Sequence, residues 1–184
     1  MKEKFTPLLT RGFVSVFEHT PTGYTIVRAT DAIAILVEVA GKGVLMVRQE
    51  RPAMITEKNP QGMLTEVIAG RFDCNLSPKA LAVKEIEEEA GISVSEDQIE
   101  ILNGGKPLAV GPGLISDRIY LAYANIRPNQ VSGTQTVFGK PEEQEQTLRV
   151  FFTIKQLETM RFEDLKTYAL VQYFLKERAK GDRA

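Results

Sequence analysis

Residues 32–48, AIAILVEVAGKGVLMVR, place the tightest constraint on the fold. Two near-continuous aliphatic arms flank Gly41-Lys42-Gly43, a combination suited to a tight turn. A strand with one solvated face alternates apolar and polar residues. An arm that is apolar at nearly every position must instead be covered on both sides. This hairpin therefore needs a layer above it and a layer below it. Candidate partners are spread along the chain. Residues 12–28 read as two strands around Thr20-Pro21-Thr22-Gly23, and MLTEVIAG, 63–70, reads as a short apolar strand ending in glycine. IYLAYANI, 119–126, and LRVFFTI, 148–154, are also strand-like. Ser77-Pro78 is a helix start, Gly91 is its stop, and a second amphipathic helix follows residue 162. Strands and helices alternate without a strict βαβ rhythm. The expected class is α/β (α+β), with a mixed sheet between helices.

Composition narrows what such a domain can do. The 184 residues suit one domain, and 43% hydrophobic against 26% charged residues is an ordinary globular balance. A net charge of −1 gives no basic field for nucleic acid. Cys74 is the only cysteine and His19 the only histidine, which excludes an intramolecular disulfide and a Cys/His zinc site. MKEKFTPLLTRG, at the N-terminus, has no signal-peptide-like apolar run, and no stretch reaches the ~18 apolar residues of a membrane span. The expected location is the cytoplasm, with no nucleic-acid or membrane partner.

The chemistry is concentrated in KEIEEEAG, residues 84–91. At about 100° per residue, Glu85, Glu88 and Glu89 share one side of a helix, and Glu87 points away. Three neighbouring carboxylates resist ionising together. A hard divalent cation removes that penalty, and oxygen-only ligands suit magnesium. An exposed acidic helix face is the plain alternative.

The context decides between them. GRFDCNLSPKALAVKEIEEEAGI, residues 70–92, resembles the Nudix box, G-x5-E-x7-R-E-U-x-E-E-x-G-U, where U is aliphatic. Gly70, Glu85, Ile86, Glu88, Glu89, Gly91 and Ile92 match. Leu76 stands where a glutamate is expected, and Lys84 replaces the arginine, keeping its charge but not its planar fork. The likeness extends outwards. Arg48-Gln49-Glu50-Arg51, Leu64 to Gly70, GPGLISDRIYLAYA at 111–124 and DLKTYALVQYFL at 164–175 resemble segments of the ADP-ribose and nucleoside-diphosphate-sugar pyrophosphatase branch.

The resemblance implies a Nudix-like α/β/α sandwich. It implies that residues 1–30 form an N-terminal β-hairpin extension that helps to build a homodimer, beside a hydrolase domain over 31–184; read from the residues alone, 12–28 is equally a plain hairpin extending the core sheet. It implies Mg²⁺, with Mn²⁺ as a substitute, held by Glu85, Glu88, Glu89 and the Ala69 carbonyl. The substrate is a nucleotide sugar of ADP-ribose or GDP-mannose type, cut at its pyrophosphate bond. The general base comes from PEEQEQT, residues 141–147. Glu145 takes that role if one residue is inserted and Glu143 otherwise, with Glu88 as the fallback. Arg51, Glu66, Arg71 and Arg118 are the candidate substrate contacts. Two other readings stay open: a house-cleaning nucleoside triphosphatase, and a Nudix-fold binding module without chemistry.

Overall fold

The computed structural model describes residues 4–73, 75–131, 135–139 and 146–181. Cys74, Glu143 and Glu145 lie outside these described residues. The chain opens with a three-stranded antiparallel sheet of β1 (Phe5–Arg11), β2 (Val14–His19) and β3 (Tyr24–Arg28). The β2–β3 hairpin is the one predicted around Thr20–Gly23. Strand β1 adds to its edge and was not apparent in FTPLLTR, because Pro7 interrupts the pattern and no alternation survives.

The main sheet has nine strands. Its path runs β11 (Val137–Phe138), β12 (Thr147–Phe152), β5 (Gly43–Glu50), β4 (Ala32–Val39), β10 (Arg118–Ile126) and β8 (Ile99–Ile101). β9 (Leu108–Ala109) adds to β10. β10 runs parallel to β4, from Ile119 opposite Ala32 to Ile126 opposite Val39, and the other pairs are antiparallel.

The aliphatic arms behave as their composition demands. On β4, Ile33, Ile35, Val37 and Val39 face α1 (Pro78–Ala90), in a core completed by Leu45, Val47, Ile68, Leu81, Ile86 and Ile92. Ala34 and Leu36 face the other way, packing with Val44, Met46, Leu157, Leu170, Val171 and Phe174 beneath α2 (Ile154–Thr159) and α3 (Leu165–Gly181). The result is the α/β/α sandwich. Among the described residues no helix is long and apolar enough to cross a membrane.

One element departs from expectation. Residues 63–70 are not one strand but two. β4 and β5 pair closely only where Val37–Val39 meet Gly43–Leu45. They then diverge. β6 (Met63–Glu66) follows β5, with Val47 opposite Glu66, and β7 (Ile68–Arg71) follows β4, with Ile35 opposite Ile68. The chain changes partner at Val67. That residue is fully buried and has left both ladders, so its N–H needs another acceptor. It donates to the Thr167 hydroxyl of α3, at 3.0 Å. This fork in the sheet opens the cleft described next.

Candidate active site

The cleft holds about 170 Å³, and α1 builds one wall of it. Ser77 caps the helix by accepting from the Ala80 N–H at 3.0 Å, and Pro78 opens the first turn. Gly91 ends it in the left-handed region, at φ 62°, donating to the Glu87 carbonyl. Between these stops the helix buries Leu81, Ala82, Ile86 and Ala90, and with them Glu85 and Glu89. Two carboxylates therefore share the buried face with the core, at 8% and 5% exposure. Glu87 is exposed, as the helical phase predicts.

The floor is backbone. Ala69 and Gly70 of β7 line the cleft, and Ala69 N–H lies 3.4 Å from Glu89 Oε2. A β-carbon on Gly70 would fall inside the Glu85 carboxylate, so the box glycine is a requirement of close approach. Three cations, Arg51, Arg71 and Lys166, line the same cleft as the acids. Asp73, Ala32 and Ile119 complete the lining.

Burial is the main cause of an unusual titration. It pushes Glu89 up to about 8, and the neighbouring Glu85 charge adds to the effect. Arg51 opposes this, Glu66 reinforces it, and the Ala69 N–H opposes it. Without a cation, Glu89 therefore keeps its proton at neutral pH. A buried acid pair that resists joint ionisation fits a hard cation, and carboxylate oxygens are the donors magnesium prefers. Among the described residues no three acidic, histidine or cysteine side chains converge as a ready-made cation cage.

Lys84 lies 3.4 Å from Glu85 Oε1 and 3.2 Å from Glu88 Oε2. Burial lowers its affinity for a proton, but the two glutamates outweigh burial and raise its pKa. It thus bridges the box acids, as the arginine of the motif would be expected to do. Leu76 packs against the α1-side core.

Of the eight predicted site residues among the described ones, five come together. Ala69, Glu85, Glu89, Arg51 and Arg71 line one cleft. Arg71 also stacks on Phe13 of the N-terminal segment, 4.0 Å from the ring centre. Glu88 sits at the edge and pairs with Lys84. Arg118 heads β10, is exposed, and is absent from the cleft lining; its backbone N–H donates to Asp31 Oδ1 at 2.9 Å. Glu66 is 1% exposed, with its carboxylate taken up by Arg51 at 2.6 Å, by Lys166, and by the Gln49 side chain at 3.3 Å. It reaches the cleft through those cations.

Three residues of this network escaped the sequence reading: Lys166, Gln49 and Thr167. Gln49 lies in the Arg48-Gln49-Glu50-Arg51 segment, and the other two lie in DLKTYALVQYFL, residues 164–175. Those segments carried the only signal, and nothing in them showed that a closing helix returns to the box.

The NUDIX domain family model matches residues 28–171. This chain belongs to the Nudix family. The chain is similar to a GDP-mannose pyrophosphatase of Salmonella arizonae, 32% identical over 168 residues, covering 90% of this chain and 82% of the relative. Proteins of the same name from Cronobacter sakazakii and Enterobacter sp. are 30% and 28% identical, with the same coverage. The Nudix assignment makes the chain a hydrolase and gives the buried glutamate pair its context.

Proposed function

We propose that the protein hydrolyses the pyrophosphate bond of a nucleoside diphosphate sugar, of GDP-mannose or ADP-ribose type. The products are a nucleoside monophosphate and a sugar phosphate. The observation that carries this reading is the sharing of one cleft by buried Glu85 and Glu89 with Arg51, Arg71 and Lys166. Such a site offers carboxylates to a cation and cationic side chains to an anion. The relatives that cover most of the chain bear the name GDP-mannose pyrophosphatase.

Glu85, Glu88, Glu89 and the Ala69 carbonyl would hold Mg²⁺, with Mn²⁺ as a substitute. Bound there, the cation would neutralise phosphate oxygens and favour attack on phosphorus. The chain supplies the rest. Arg51 and Arg71 present guanidinium donors that suit phosphate oxygens. Glu66 fixes Arg51 by its short ion pair. Glu145 takes the proton from the attacking water, with Glu143 in that role in the other register. Gly70 leaves room for the Glu85 carboxylate against the strand.

Residues 1–30 act as a dimerisation extension of the hydrolase domain 31–184. Leu8, Leu9, Phe13 and Tyr24 support this, being 54% exposed or more on one small sheet. Sedimentation of L9D beside the natural chain tests it; an unchanged mass would refute it.

The functional reading is tested by incubating the purified protein with Mg²⁺ and GDP-mannose, ADP-ribose or nucleoside triphosphates in parallel. Release of nucleoside monophosphate from a nucleotide sugar, faster than any triphosphate is cut, is the expected result. Preference for triphosphates would make it a house-cleaning enzyme, and binding without turnover would make it a binding module.

A further inference from the structure

Three cations line the cleft, and two of them share one holder. Arg51 and Lys166 both pair with buried Glu66. The third, Arg71, is held differently. Among the described residues its guanidinium has no hydrogen bond and no ion pair. Its partner is the ring of Phe13, whose centre lies 4.0 Å from the guanidinium carbon. Phe13 sits in the turn between β1 and β2, ahead of the residues that match the family. The small sheet that carries it is fixed to the cleft. Val27 of β3 donates its N–H to the Leu114 carbonyl at 2.8 Å, and its own carbonyl accepts from the Ser116 N–H at 3.0 Å. These bonds join β3 to the loop that leads into β10, whose Ile119 lines the cleft.

The kind of partner matters. A carboxylate takes up the in-plane N–H groups of an arginine and offsets its charge. A ring covers one face of the plane and does neither. Arg71 therefore keeps its five donors and its full charge for a ligand. The ring also restrains a long, exposed side chain before any ligand arrives, which lowers the entropy lost on binding. Phe13 is itself 54% exposed, so the core does not explain its place. We propose that Phe13 is a positioning residue: it holds the Arg71 guanidinium of its own chain at the cleft, ready for a phosphate oxygen of the diphosphate. This rests on the function proposed above. The N-terminal sheet then serves the cleft of its own chain, whatever its part in a dimer.

Two measurements on the full chain test this. The first needs no substrate. A ring stacked on a guanidinium moves the arginine Nε–H proton signal upfield. The Arg71 signal, assigned by its loss in R71Q, is expected to show that shift and to lose it in F13L. The second is the KM on whichever of GDP-mannose and ADP-ribose the natural protein cuts faster with Mg²⁺. F13L is expected to raise KM about two- to fivefold, the range of an exposed cation–π contact, with kcat and Mn²⁺ affinity changed far less. F13Y keeps the ring and recovers the natural KM. R71Q raises KM about tenfold or more, and F13L adds nothing to it.

An unshifted Arg71 signal in the natural protein overturns the proposal. So does an unchanged KM in F13L, or an F13Y variant no better than F13L. A rise in KM by F13L that persists in full in R71Q means that the ring acts on substrate directly, and overturns the role through Arg71. A shifted Arg71 signal with no turnover of either nucleotide sugar overturns the functional reading, and this role with it, while the contact stands.

Discussion

The carboxyl group of Glu85 occupies the space in which Gly70 would carry a β-carbon. The strand end and the helix face are thus in contact through the absence of one atom. The variant G70A forces that carboxylate away from the strand. Overpacking of this kind costs about 1–3 kcal/mol. The expected outcome is a lower melting temperature together with weaker Mn²⁺ binding, read by thermal denaturation and titration on the same sample. A folded G70A protein with unaltered metal affinity would remove Glu85 from the cation site.

Glu89 makes the metal-free protein sensitive to pH in an unusual direction. In the unfolded chain it ionises near 4.5, whereas in the fold burial and Glu85 hold its proton to about 8. Between those values folding takes up a proton, so stability falls as pH rises through the window and levels off above it. Melting temperatures in EDTA should decline across the window, and E89Q should flatten the decline. The same variant should lose at least about two orders of magnitude in turnover, since it can no longer supply a charged ligand. A steep decline that survives in E89Q would place its cause elsewhere.

Arg149 ties the end of α1 to the neighbouring sheet edge. The residue is 9% exposed, and its guanidinium donates to the Ala90 carbonyl at 3.1 Å and the Gln135 carbonyl at 2.9 Å. Thr147 donates to the Glu89 carbonyl at 2.8 Å. Helix-end carbonyls have no partner within the helix, and a cation there also meets the negative end of its dipole. R149M leaves buried acceptors unsatisfied and should cost about 1–3 kcal/mol in urea unfolding. R149K should lose less, because it keeps the charge and one donor.

The acidic loop carries a prediction about register. E145Q should lower kcat without changing Mn²⁺ affinity, because a base acts on water rather than on the cation. E143Q is the comparison. If only that variant slows turnover, the loop is displaced by two residues from the proposed alignment.

The layered fold could be read from the sequence because β4 and β5 are apolar at nearly every position, which only a sheet covered on both faces tolerates. The helix and both of its ends followed from Ser77, Pro78 and Gly91. Strand β1 and helix α2 did not, the first for its proline and the second because six residues are too few for a helical period to show. The fork at Val67 was hidden for a different reason: MLTEVIAG is apolar and continuous, and a change of hydrogen-bonding partner leaves no mark on composition. The box placed Glu85 and Glu89, and their spacing of four put them on one face. Burial of Glu66, and its service by Lys166 from α3, depended on tertiary packing that no local pattern records. Leu76 was legible in part: an apolar residue at a motif's acidic position packs where the structure puts it, against the core.

Val67 depends on a hydroxyl 100 positions further along the chain to satisfy its N–H. A nascent chain that has left the ribosome only as far as β12 already contains every box residue. It still lacks the side chain that pins the parting of the two strands. Metal affinity should therefore appear late in synthesis, after α3 has docked, even though its glutamates emerge near the middle.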